Sequence, residues 1–102
     1  METRRYRSLR EFYPFYLSQH QNCICRRLHF FGTSIAIALI LYALASGRYW
    51  FLLLALVQGY AWAWIGHFFF EHNRPATFKH PLLSFAGDWK LWLDMLAGRI
   101  RW

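Results

Sequence analysis

The sequence predicts an all-α membrane protein, a two-span transmembrane helical hairpin with short interfacial amphipathic helices at both ends. Three observations lead there. The chain of 102 residues is 57% hydrophobic and only 17% charged, too apolar for a soluble domain of that size, which needs a polar exterior. Two apolar runs, about 28–46 and 49–71, approach or meet the roughly 17 to 25 residues that cross a bilayer as a helix. Six Trp, six Tyr and ten Phe suit headgroup depth, where amphipathic rings settle. The length accommodates one membrane-embedded domain, 1–102.

Taken in order, residues 1–7 are basic and offer arginines to lipid phosphates. Ser8-Leu9-Arg10-Glu11 fits a capping box and starts a short aromatic helix on the membrane surface, with Pro14 in its first turn or at a kink. The polar break at 18–22 ends it, and Asn22 caps a helix over about 23–45. Ser46-Gly47-Arg48 is a tight turn. The second span, from Tyr49, closes before Arg74-Pro75, because the residue before proline is pushed out of the helical region. Residues 76–83 read as a loop. Ser84 or Asp88 caps a last amphipathic helix through Met95.

The basic residues lie before Leu28 or after Asn73, with only Arg48 between the spans. This predicts a multi-pass integral membrane protein with both termini cytoplasmic, in a bacterial inner membrane or the endoplasmic reticulum. A net charge of +7 placed outside two apolar blocks points to anionic lipid and excludes nucleic acid. The N-terminus has no apolar core or small-residue cleavage site, so no removable signal peptide is expected. Cys23 and Cys25 stand too close for an unstrained bridge and read as reduced thiols.

The histidines are one-sided. With the turn centred near Gly47 and a rise of about 1.5 Å per residue, His29 and His67 reach nearly the same depth at the cytoplasmic end of the apolar layer. His20, His72 and His80 lie further out on the same side. Five converging histidines suggest a ligand set, and His67, one turn inside an apolar run, is costly to keep there unless something binds it.

His67 and Glu71, four apart, share a helix face and reach one ion or each other. His72 stands about 140° from His67 on an ideal helix and joins only if the last turn unwinds before Pro75. His20 and His29, nine apart, would face oppositely on one continuous helix. The break at Gln21-Asn22 lets His20 fold back over the helix start. Gly32, one turn beyond His29, admits close approach of another backbone or a ligand. Imidazoles with a carboxylate and few thiolates fit non-haem iron better than a structural zinc, which four ligands would close. Plainer roles compete. An interfacial histidine, His80 beside a proline above all, is more often a hydrogen-bonded polar residue; Phe68-Phe69-Phe70 is lipid contact or core; Arg26 and Arg27 anchor headgroups or pair with a fatty-acid carboxylate.

Two ordered motifs, His20…Asn22…His29-x-x-Gly32 and Gly66-His67-x-x-x-Glu71 followed by Pro75-Ala76, resemble the membrane 2-hydroxy-fatty-acid dioxygenase family, which includes the yeast endoplasmic-reticulum enzyme and short bacterial relatives. The string GHFFFEHNRPATFKHPLLSFAGD looks like the short bacterial branch. The resemblance implies an iron(II)-dependent enzyme that uses dioxygen to shorten 2-hydroxy fatty acids by one carbon, in fatty acid alpha-oxidation. It implies His20, His29 and His67 as metal ligands, His72 and His80 as further metal positions of the bacterial-style version, and Glu71 as the catalytic acidic position. Arg26, Arg27 and Arg74 are placed to steer the substrate carboxylate. The rival reading is a small structural or assembly membrane protein whose interfacial histidines bind lipid phosphates or a partner subunit; haem between His29 and His67 is a third. A two-span hairpin is thin for a pocket, so the terminal helices, or a second copy in a homo-oligomer, must enclose it.

Overall fold

Side-chain caps start the first two helices where the sequence places them. Ser8 Oγ accepts the Glu11 N–H at 3.2 Å, and α1 runs Leu9–Ser18 with Pro14 inside it. Asn22 Oδ1 accepts from Ile24 and Cys25 at 2.9 and 3.3 Å, opening α2, Cys23–Ser46. Gly47 ends α2 at φ 74°, a left-handed conformation that a side chain disfavours. After that turn come α3, Trp50–Ile65, and a π-helical segment, Gly66–Glu71, that continues it. The last helix, α4, is Pro81–Leu96. This computed structural model describes residues 6–75 and 78–102. Arg4 and Arg5 of the basic N-terminus, and Ala76 and Thr77 of the predicted loop, lie outside the described residues.

The fold is all-α, with no strand among the described residues. Cys23–Ser46 and Trp50–Glu71, at 24 and 22 residues, are long and apolar enough to cross a membrane. Only 22% of either apolar window is buried, so most of these side chains, Leu41, Leu44, Leu53 and Val57 among them, face outward. An apolar exterior of that extent marks an interaction surface, for a membrane or for another protein.

The two long helices meet through glycine. A Cβ on Gly32 would stand 3.2 Å from the Gly59 carbonyl oxygen and from Trp62 Cβ. The close approach expected at Gly32 is therefore made by the α3 backbone. Gln58 Nε2 adds a hydrogen bond to the Gly32 carbonyl at 2.9 Å. One end of the hairpin is pinned by Gly66 against Cys25, where a Cβ would lie 2.9 Å from Sγ and 3.2 Å from Cα.

The terminal helices do more than lie on a surface. Phe12, Tyr13 and Tyr16 of α1 form a buried cluster with Leu91 and Met95 of α4. Trp92 ties α4 to α2 by donating to Ser34 Oγ at 2.9 Å and stacking on Phe30. The start of α4 corrects the expected one. Pro81 stands in its first turn, where its fixed φ suits the helix and its missing N–H is no loss. Ser84 and Asp88 consequently lie inside the helix and cap nothing.

Gly66→Ala should overpack the Cys25 contact, at about 1–3 kcal/mol, and lower the unfolding temperature in detergent. Cys25→Ala in the same chain should restore part of it, since the sulfur half of the clash goes. An unchanged unfolding temperature in the single variant would refute the tight seat of the π segment on α2.

Candidate metal centre

Three histidines from three segments converge. His20 follows α1, His29 lies nearly two turns inside α2 and His67 sits in the π segment. Their ring centroids are 4.4 Å (His20 to His29), 4.4 Å (His20 to His67) and 5.0 Å (His29 to His67) apart. All are buried, with exposures of 2%, 4% and 2% respectively. One chain suffices to enclose them.

The hydrogen bonds around each ring decide which nitrogen is free. His20 Nδ1 faces the Tyr16 carbonyl at 2.6 Å, His29 Nδ1 the Cys25 carbonyl at 2.8 Å and His67 Nδ1 the Asn73 Oδ1 at 2.8 Å. Asn73 is held in that orientation because its NH2 donates to the Gln19 carbonyl and Oε1 at 3.2 and 3.1 Å. An oxygen of this kind only accepts, so each Nδ1 carries the proton and each Nε2 keeps a lone pair. His20 Nε2 and His29 Nε2 are 3.1 Å apart. Two lone pairs facing at that distance repel unless a cation lies between them. Two imidazole nitrogens about 2.0–2.1 Å from one metal stand about 3 Å apart at a right angle. Ligand nitrogens of all three residues lie within 4.8 Å of one another. The donor set fits a metal, with the outer-oxygen arrangement usual for ligating histidines.

Burial, reinforced by His29 and His67, lowers the pKa of His20 despite its bond to the Tyr16 carbonyl. It is neutral at neutral pH, the form that ligates. Its ring lies flat on Tyr16, centroids 3.9 Å apart and planes 19° apart. Tyr16 in turn fits against Gly87, where a Cβ would come within 2.8 Å of the ring, and donates its hydroxyl hydrogen to Asp88 Oδ1 at 2.5 Å. Burial pushes the Asp88 carboxyl up to about 7, although the Tyr16 hydrogen bond works against it.

Several residues singled out in the sequence stand elsewhere. Glu71 Oε2 accepts the backbone N–H of Asn22 at 2.5 Å, and Asn22 Nδ2 reaches the Phe70 carbonyl at 3.4 Å. The carboxylate thus ties the π segment to the start of α2 and is not among the three residues whose ligand atoms cluster. The last turn does change before Pro75: the His72 N–H reaches back to the His67 carbonyl and His72 turns left-handed at φ 58°. That turn leaves His72 exposed. His80 packs among Tyr6, Phe12 and Phe15, with centroids 5.3, 5.3 and 6.3 Å away. Arg26 donates to the carbonyls of His20 and Gln21 at 3.1 and 2.8 Å, bracing the turn that carries His20. Arg27 lies over the Trp102 ring at 5.2 Å, and Arg74 is exposed beyond the π segment. Cys23 and Cys25 are free thiols.

The profile of the family described as 2-hydroxy-palmitic acid dioxygenase Mpo1-like matches residues 6–100. The chain belongs to that family. No curated protein and no solved structure matches it. Both sequence motifs fall inside the Mpo1-like match, and their histidines are the three that converge. Tyr16, Asn73 and Asp88 were not read as site residues from the sequence. Their one signal was the need of each buried histidine for an outer partner, which names no position.

Asp88 titrates near 7 in the folded chain against an ordinary 3.8. Between those values the unfolded chain releases its proton first, so stability falls as pH rises through the window and stays low above it. Asp88→Asn keeps an acceptor for Tyr16 and removes the titration. In metal-free protein its unfolding temperature should exceed the wild type's at pH 8, with the gap closing towards pH 4. A gap of constant size across that range would contradict the assignment.

Proposed function

We propose that this Mpo1-like protein is an iron(II)-dependent dioxygenase that shortens 2-hydroxy fatty acids by one carbon. The observation that carries the reading is three buried histidines whose ligand nitrogens lie within 4.8 Å of one another while each Nδ1 faces an oxygen. His20, His29 and His67 would hold the metal, and His72 and His80 stand outside the set. Three protein ligands leave positions open for substrate and dioxygen, as a catalytic rather than a structural site requires. Bound iron(II) would activate dioxygen, the four electrons of its reduction coming from the substrate.

A 2-hydroxy acid offers a carboxylate and a hydroxyl that chelate together. In the overall reaction the C1–C2 bond breaks, C1 leaves as carbon dioxide, C2 is oxidised to the new carboxyl, and dioxygen is reduced to that carboxyl's added oxygen and water. The chain's own residues set the stage. Tyr16 and Asp88 hold the His20 ring in place, Asn73 holds His67, and Glu71 positions the π segment through Asn22. Arg26 braces the His20 turn, and with Arg27 and Arg74 it makes this end of the hairpin positive, favouring a carboxylate head. The outward apolar faces support a multi-pass membrane protein, and the basic residues outside the spans support cytoplasmic termini.

Protein purified in detergent and loaded anaerobically with ferrous iron should bind metal and convert a 2-hydroxy fatty acid to the acid one carbon shorter. Alanine at His20, His29 or His67 should remove both metal and turnover. Wild-type protein that retains no metal, or alanine variants that keep full turnover, would overturn the reading.

Asn73→Ala should leave the ligands present and weaken metal affinity about 10–100-fold, as loss of an outer hydrogen-bond partner does. Metal titration monitored on the protein checks this, and an unchanged affinity would show that the His67 ring is held by packing alone.

A further inference from the structure

A cavity of about 280 Å³ begins at His29 and runs between α2, α3 and α4. Its polar lining is gathered at one end, where Thr33 lies one turn from His29, Tyr60 follows the Gly59 that touches Gly32, and Asp88 enters from α4. Tyr16 engages one oxygen of Asp88, and among the described residues the Thr33 and Tyr60 hydroxyls have no hydrogen-bond partner. Beyond that end the walls are apolar, formed by Ala36 and Ile40 of α2 and by Leu52 and Ala55 of α3. From His29 to Ile40 the helix advances about 16 Å. Leu52, Leu56 and Phe85, in the wall, are 39%, 46% and 43% exposed, so the cavity opens sideways along the apolar surface of the hairpin.

We propose that this groove binds the alkyl chain of a single-tailed amphiphilic acid, with the head at the His29–Asp88 end and Ile40 and Leu52 limiting chain length. The one-ended polarity selects the occupant. A polar solute would leave the apolar stretch unfilled, while an alkane would leave the hydroxyls and the carboxyl unsatisfied. A two-tailed lipid asks for more room than a cavity at the low end of the roughly 300–1,000 Å³ usual for ligand sites. Ala36 and Ala55 keep the groove open, and the lateral opening admits a chain directly from the bilayer. That the head is a 2-hydroxy acid rests on the function proposed above; the chain site rests on the cavity.

The test uses a 2-hydroxy fatty acid carrying a photoreactive diazirine near its methyl end, irradiated with the full-length protein in detergent. Crosslinks should map to Ile40, Leu52 and their groove neighbours. Ala36→Phe fills the groove and should abolish both labelling and turnover while metal content stays at the wild-type level; Ala55→Leu is the milder variant should the first fail to fold. Ile40→Ala with Leu52→Ala should move the preferred substrate to longer chains. Labelling spread over the outward Leu53 and Val57 and indifferent to Ala36→Phe would overturn the proposal, as would an unmoved chain-length profile. Groove labelling without turnover would uphold the chain site and count against the dioxygenase reading. Turnover insensitive to groove filling would do the reverse.

Discussion

The Nδ1 protons of His20, His29 and His67 each go to an oxygen, and the placing of those three oxygens governs the architecture around them. Two are carbonyls four residues back in the chain, at Tyr16 and Cys25, so α1 and α2 orient their histidines locally. The third is a side chain, Asn73, and it needs Gln19 to hold it. Between them these contacts leave each Nε2 with its lone pair, in a space nearly closed to water. Imidazoles left free to rotate would hydrogen-bond to each other or to water and present no common site.

Bringing the rings together requires three chain segments to meet, and most of the polar interactions at this end of the molecule join them. Asn22 receives Glu71 on its backbone and caps α2 with its side chain. Arg26 braces the turn that carries His20. The α1–α4 pair closes the top and is itself clamped by Asp94, which accepts from the Tyr13 hydroxyl at 2.7 Å and pairs with Arg99 and Lys90 at 2.9 and 3.3 Å. Burial alone would raise the pKa of Asp94, but the hydrogen bonds from Tyr13, Arg99 and Lys90 outweigh it and lower the pKa. The carboxylate is therefore charged at neutral pH, and the α1–α4 clamp does not depend on pH near neutrality.

The long helices serve a different end. Their apolar surfaces face outward, while their small residues, Gly32 and Ala36 opposite Gly59 and Ala55, allow close approach on one side and leave a groove on the other. The histidine cluster and the groove are thus contiguous, sharing His29 in their common wall.

Much of this was legible in the chain itself. The apolar runs, the caps at Ser8 and Asn22 and the turn at Gly47 follow from local physics: hydrophobic length, side-chain acceptors and a left-handed backbone position. From the turn alone His29 and His67 come to the same depth, because two helices of equal rise must match residue for residue. What local rules could not reach was decided by packing. The π segment moved Glu71 to Asn22 and carried His72 to the surface, where an ideal helix would have stacked Glu71 over His67. His80 went to an aromatic cluster, and Asn73, Tyr16 and Asp88 acquired partners 54 or 72 positions distant in sequence. Helical spacing specifies which residues share a face, but only the meeting of segments determines which oxygen receives each histidine proton, and with it where the free nitrogens point.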